Sequence, residues 1–401
     1  MTKARENSDY TGLQGDLAGL QTNITAGDTA ARAGRKNLIL NGEMKVAQRP
    51  TASGLNSYGA RLPVDGWLWG SGGAVEATAT QSSDVPTGAG FSKSLKLDVT
   101  TADSSLVSGD YVQLIQRFEG QNLQLMKKGT SSAESLTLSF WIKTSVTGTY
   151  IARLWDNENS SRCIQKPYTV SVANTWEKKT VVFEGDTTGA FSSNNLQSMN
   201  LSLWFMAGPN YTSGTLTTTW SPWVAANGAV GQVNAVASTS NDIYITGFQL
   251  ETGSVATDFE HLSFGEQHQL CQRYFYNPLY NLGGSRGQFT LDYLVSSGNN
   301  GWITFTVPFP VTMRAFSTFS HSLTPAKFLG SAAPADGADN FSFYIQNQGY
   351  AGLVGNGSIA NLGGGGQYHG VVGTYYCSPS STSASHIFIG NGCTFQFSAE
   401  L

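Results

Sequence analysis

Charge is scarce in this sequence. Asp, Glu, Lys and Arg make up 12% of its 401 residues and leave a net charge of −4. That balance excludes the basic field with which proteins grip phosphate backbones or anionic lipid without specificity, so no nucleic-acid partner is expected. Cysteine is scarce too. Cys163, Cys271, Cys377 and Cys393 follow no zinc-ligand spacing and form no CxxC pair. They read as reduced core residues, with a Cys377–Cys393 bridge as the alternative. The opening stretch "MTKARENSDYTGLQGDLAGL" has no apolar run, which argues against a signal peptide, and no segment reaches the roughly 18 apolar residues of a membrane span. Neither membrane insertion nor leader-directed export from a cytoplasm is expected. Histidine is sparse and scattered, at His261, His268, His321, His369 and His386, and supports no Ser-His-Asp order.

What the sequence has is glycine, at 46 positions, with 11% aromatics and dense Ser, Thr and Asn. This is the composition of an all-β protein with many turns, and the length suits two or three domains. Residues 1–36 stand apart, polar and poor in aromatics, with Leu13, Leu17, Leu20 and Ile24 spaced four, three and four apart. That spacing is an a/d seam for a short coiled coil between identical chains, although Gly12, Gly15 and Gly19 weaken any helix there. A flexible tether is the equal alternative, and either way the segment reads as an attachment device.

From "KNLILNGEMKV" onward the pattern is strand and turn. "SLTLSFWIK" puts Leu136, Leu138, Phe140 and Ile142 on one face and Thr137, Ser139, Trp141 and Lys143 on the other. "YIARLW", "WEKKTVVFEG", "LSLWFMAG" and "DIYITGFQL" alternate likewise, and "SVTGT" reads as a hairpin-like turn between the first two strands. Many short strands with no helical period between them predict a jelly-roll-like β-sandwich over 37–262. Ser263 followed by Glu266 is a capping box that opens a short linker helix, 263–278, placing Leu270, Cys271, Tyr274 and Phe275 on one face before Pro278 ends it. His268 and Cys271 share a face of that helix, but two ligands without a third favour burial over metal binding. A second β-domain follows over 279–401, beginning with two alternating runs joined by "SSGNNG". The glycine run "NLGGGG" at 361–366 has no helix after it and so is no phosphate cradle.

Long ordered phrases carry a family likeness. "KNLILNGEMKVAQR", "PVDGW", "QRFEGQNLQLMKKGTSSAESLTLSFWIK", "GDTTGAF" and "ITGFQLETGSVATDFEHLSFGEQHQLCQRYF" resemble a module of bacteriophage tail-fibre and related virion proteins. That module is similar to carbohydrate-binding-module-like, galactose-binding-type β-sandwiches. The likeness covers about residues 37–276, with a weaker echo in "FTVPFPVTMRA" of the distal domain of such fibres. It implies a homotrimer, held through its N-terminus by another tail or baseplate protein of the virion and attaching to host surface polysaccharide. In sugar-binding relatives an acidic residue of the opening phrase helps hold a structural calcium. Met44 replaces the aromatic of that phrase here, and Glu43 and Glu251 are the weak oxygen-ligand candidates. No other cofactor is expected.

Enzymatic glycan cleavage, as by a degrading spike, needs two carboxylates flanking the bond. Asp156 and Glu158 in "WDNEN" share one short loop and read equally as turn residues, so a non-enzymatic protein is expected. Binding has the better physical handle. Trp141, Arg153, Trp155 and Trp204 are predicted on a face opposite the core, where aromatic rings stack on sugars and an Arg meets hydroxyls or acidic groups. Packing is the favoured alternative for these tryptophans, beneath the loop bearing Trp220 and Trp223, the second domain or a neighbouring subunit. Tyr368, Tyr375 and Tyr376, beside the Gly- and Ser-rich loops 363–368 and 375–385, are candidate contacts at a receptor-binding tip. A head, collar or baseplate decoration without receptor binding remains the structural alternative.

Overall fold

The structure is a computed structural model. It describes residues 35–277, 309–314 and 398–401 with their side chains, and further strands between 287 and 397 by backbone pairing. The seam positions Leu13, Leu17, Leu20 and Ile24, and Cys393, lie outside the described residues.

The sandwich strands run in chain order β1 (Ala52–Leu55), β2 (Ala60–Arg61), β3 (Leu68–Gly72), β4 (Glu76–Ser82), β5 (Ser94–Thr101), β6 (Tyr111–Glu119), β7 (Leu136–Thr144), β8 (Gly148–Asp156), β9 (Arg162–Val170), β10 (Glu177–Phe183), β11 (Gln197–Ala207), β12 (Ser221–Pro222) and β13 (Asp242–Thr252). A one-turn helix α1 (Pro209–Thr212) follows β11, and helix α2 (Phe264–Gln272) follows β13. The strands form a six-stranded sheet, β1-β4-β5-β13-β7-β10, and a seven-stranded sheet, β12-β9-β8-β11-β6-β3-β2. Strands distant in sequence lie side by side, β13 between β5 and β7, as in a jelly roll. The protein is all-β.

The "SVTGT" turn is not a hairpin. It carries the chain from β7 in one sheet to β8 in the other. A glycine-rich turn looks alike in sequence whether the chain folds back beside itself or crosses to the facing sheet. Here burial decides. Both strands send alternate apolar residues into one core, Leu136, Leu138, Phe140 and Ile142 from β7 and Tyr150, Ala152 and Leu154 from β8.

Between the sheets, Phe140 stacks on Phe248 with ring centres 4.9 Å apart, Trp67 tilts against Phe248 at 4.7 Å, and Phe140 meets Tyr168 edge-on at 5.1 Å. Fully burying side chains of this size contributes roughly 1.5–3 kcal/mol each.

The capping box at the start of α2 forms in both directions. The Ser263 hydroxyl accepts from the Glu266 amide (3.3 Å), and the Glu266 carboxylate accepts from the Ser263 amide (3.0 Å). Cys271 is fully buried at the junction, and burial pushes its thiol well above the usual range. Among the described residues both Cys163 and Cys271 are free thiols. After α2, Phe275–Tyr276 pairs antiparallel with Phe395–Ser398. Further on, Gly287–Leu294 and Gly301–Met313, the alternating runs on either side of "SSGNNG", pair antiparallel, and Tyr368–Ser378 pairs with the second of these strands. Tyr368, Tyr375 and Tyr376 are strand residues opposite Met313, Ile303 and Trp302.

Candidate functional site

Alternation along the seven-stranded sheet sends a second set of side chains away from the core. On β8 these are Ile151, Arg153 and Trp155; on β11, Asn200, Ser202 and Trp204; on β6, Tyr111 and Gln113. The register aligns them in rows across the sheet. Trp155 lies opposite Asn200, Arg153 opposite Ser202, and Trp204 opposite Gln113. Gly70 on β3 completes the last row beside Gln113. A Cβ at Gly70 would sit 2.8 Å from Ile115 and 3.2 Å from the Tyr58 ring, so the bare backbone lets Tyr58 lean over the sheet.

A loop supplies the opposite wall. After β11, α1 brings Tyr211 back over the face, held by hydrogen bonds from Asn210 N to Ser108 O (2.9 Å) and from Ala229 N to Tyr211 O (2.8 Å). Further along, Trp223 N donates to Ser161 O (3.1 Å). The result is a cleft of about 340 Å³ lined by Tyr58, Tyr111, Trp155, Tyr211 and Trp223, with the Tyr111 and Tyr211 rings meeting edge-on 6.0 Å apart. Its floor is Arg153, Gln113, Asn200 and Trp204, all buried. Trp204 is only 1% exposed beneath Tyr111, Tyr211 and Trp223, so the loop covers this tryptophan as packing would have it. Trp155 stays partly open and Tyr58 is 54% exposed.

Arg153 organises the floor. Its guanidinium lies 4.9 Å from the Trp155 ring centre, 5.0 Å from Trp204 and 5.2 Å from Trp223. Nη2 donates to Gln113 Oε1 (2.9 Å) and Ser202 Oγ (3.3 Å), while Nε has no partner among the described residues. Burial lowers its pKa to about 10, which leaves it charged at neutral pH.

Trp141 does not belong to this site. It sits on β7 in the other sheet, paired with Thr246 and Lys178. There it packs beside Gly247, whose φ of +66° lies where the β13 register shifts, and a Cβ on that glycine would be 3.1 Å from the indole. Period-two alternation tells which side of a strand a residue takes, not which sheet the strand joins.

Asp156 and Glu158 are not a catalytic pair. Asp156 is fully buried, accepts from the amides of Glu158 and Asn159 (both 2.8 Å) and pairs with the buried Lys128 ammonium at 2.6 Å. Lys128 also reaches Asp186 (3.2 Å), which Arg162 holds from the other side (2.8 Å). Burial raises the Glu158 carboxyl, but the Ser198 hydroxyl and Ser192 amide outweigh it and hold the pKa below the ordinary value, the wrong direction for a general acid.

The calcium candidates do not fit a cation either. Glu43 is engaged by Lys45 (2.5 Å) and His261 (3.0 Å), and Glu251 accepts from Thr257 N (2.9 Å), Thr257 Oγ1 (2.6 Å) and Gln249 Nε2 (2.8 Å). Protein donors already occupy both carboxylates, and no group of three or more His, Cys, Asp or Glu with metal-binding geometry occurs among the described residues. Nor is any helix among them long and apolar enough to cross a membrane.

A second cavity, about 230 Å³, lies where the sandwich meets α2 and the C-terminal residues. Each of its four arginines holds a protein acceptor. Arg61 and Arg117 hold the Leu401 carbonyl, and Arg273 forms a two-pronged pair with Glu119 (2.9 and 2.8 Å). It is a packing seam.

No family model and no curated relative matches the chain. Among solved structures, the enzymatically active domain of bacteriophage CBA120 tailspike protein 4 is similar at 16% identity, covering 54% of this chain and 21% of that one, with a TM-score of 0.30. A structure described as CBM4 is similar at 13% identity over 53% of this chain and 99% of that one, TM-score 0.28. The family 11 carbohydrate-binding module from Clostridium thermocellum, in complex with a mixed-linked tetrasaccharide, is similar at 11% identity over 52% and 98%, TM-score 0.26. Scores this low carry no functional weight, and the fold stands on the sheet order and register described above.

Proposed function

We propose that this protein is a non-enzymatic fibre component of a bacteriophage particle, attaching to host cells by binding surface glycan in the cleft over β6, β8 and β11. The observation that carries this reading is the cleft itself: partly open aromatic side chains line it, with buried polar groups on its floor. Sugar rings offer an apolar face to aromatic rings and a rim of hydroxyls to polar groups, so the two halves of the cleft match the two halves of a sugar. A rigid sheet presents the floor residues, which limits the ordering lost on binding. The virion setting is supported by the ordered phrases over 37–276 that resemble tail-fibre modules. In this reading the chains assemble as a homotrimer, and residues 1–34 join the fibre to another tail or baseplate protein.

The test is retention of the full-length protein on immobilised host polysaccharide. Wild-type protein is expected to bind and to compete with the parent particle for adsorption. Retention that survives loss of the Trp155 side chain unchanged would remove the cleft from the proposal.

A further inference from the structure

The cleft floor is rich in donors and lacks acids. None of its lining residues is Asp or Glu. Both buried amides have their oxygens committed within the protein: Gln113 Oε1 accepts from Arg153 (2.9 Å), and Asn200 Oδ1 accepts from Gln197 Nε2 (2.7 Å). Each is left with its NH₂ group, which makes no hydrogen bond to the described residues. Between them lies Arg153, 9% exposed, with no carboxylate in ion-pair distance among the described residues. The other buried cation among the described residues, Lys128, is neutralised by Asp156 and Asp186. A buried charge without a counter-ion is costly, and three indole faces offset that cost only in part.

A neutral sugar needs both donors and acceptors, because each hydroxyl gives and takes a hydrogen bond. An acid group takes only, and a guanidinium flanked by amide NH₂ groups is the complement of a carboxylate. We infer that the cleft recognises an acidic sugar, a hexuronate or similar carboxylate-bearing unit of a surface polysaccharide, with its acid group seated at Arg153 between Gln113 and Asn200. This rests on the glycan-binding reading above and narrows it. Trp155 and Tyr58 would take the ring faces of the units on either side.

The experiment uses full-length protein and a panel of hexuronate-containing bacterial capsular oligosaccharides, each printed beside its carboxyl-reduced, neutral counterpart. At least one acidic member is expected to bind about tenfold or more tightly than its reduced form, as loss of a charge-assisted pair predicts. Arg153→Gln should abolish that preference, Arg153→Lys should keep part of it, and Trp155→Ala should weaken the acidic member. Equal binding of acidic and reduced forms, or binding of neutral sugars alone, would overturn the acidic-sugar inference and leave glycan binding standing. Binding to neither form would overturn both. Where Arg153→Gln fails to fold, the carboxyl reduction decides unaided, because it alters the ligand only.

Discussion

The Trp223 ring is held 5.0 Å from that of Trp155 and inclined to it by 59°. One indole comes from a loop and the other from the middle of a sheet. Their meeting turns a flat sheet face into a cleft, because a sheet alone can offer a platform but not a facing wall. The loop is itself pinned, by the pairing of β12 with β9 and by Gly228, where a Cβ would lie 2.2 Å from the Trp223 ring.

If the cleft is the glycan site, Trp155 and Trp141, which lie on different sheets, separate cleanly. Trp155→Ala is expected to weaken retention on host polysaccharide by about tenfold or more, as removal of an aromatic anchor does, and Trp141→Ala to leave it unchanged. Affinity electrophoresis of both variants reads this directly. Equal loss in the two would point to a general change in folding instead.

Lys128→Met should be among the most damaging single changes to stability. It leaves Asp156 fully buried with backbone amides and Asn159 but no cation, and takes one of two cations from Asp186. Breaking one partner of a buried pair costs about 3–5 kcal/mol. The shift in urea midpoint at unchanged slope measures it.

Asp65 is expected to make the sandwich less stable as pH rises. Burial pushes its carboxyl from 3.8 up to about 7, against the opposing pull of Arg49 and Gln48. A folded-state pKa above the unfolded one means the folded protein holds the extra proton. The group's stabilising contribution is therefore complete below about pH 4 and is lost as pH climbs through 7. Asp65→Asn cannot titrate, so wild type should lose stability relative to it between pH 5 and 8. A stability difference that stays flat over that range would contradict this.

If the protein is a virion fibre, removing residues 1–34 should leave thermal unfolding of the sandwich unchanged and abolish incorporation into particles. The cut is placed by the structure. Lys36 N and Asn37 N donate to the Glu260 carboxylate (3.2 and 2.9 Å), and Arg35 Nη2 donates to Ile39 O (2.7 Å), so the chain is tied to the sandwich from Arg35 onward. Cutting after residue 36 instead should cost stability.

Strands were legible where apolar residues alternate in the sequence, as in β7, β10, β11 and β13, even though β11 proves to be buried on both faces, and the Ser263–Glu266 box marks its helix because capping is a local interaction. The path between sheets was not legible, as the "SVTGT" crossing shows, because the choice rests on contacts between residues distant in the chain. The same limit split the candidate site. Arg153, Trp155 and Trp204 stood out as outward residues of two strands that prove to be neighbours, while Trp141 stood out equally and belongs elsewhere. Tyr58, Tyr111, Gln113, Asn200 and Tyr211 gave no local signal, since their role comes from register and from a loop returning over the face. Trp223 was visible as a cover but not as a wall.

The chain leaves the sandwich and returns to it at one place. Phe275–Tyr276 and Phe395–Ser398 run antiparallel as hydrogen-bonded neighbours. Just beyond, Arg314 donates to the carbonyls of Asn195, Ala399 and Glu400 (3.0, 2.7 and 3.0 Å), and Glu400 is gripped by Arg49 and Arg61 (2.7 and 3.1 Å). A segment joined at both ends to one foot behaves mechanically as a loop of rope tied to a single cleat. Load entering along Tyr276 or along Phe395 therefore arrives at the same foot, where the arginine clamps on Glu400 and on the carbonyls beside it share it.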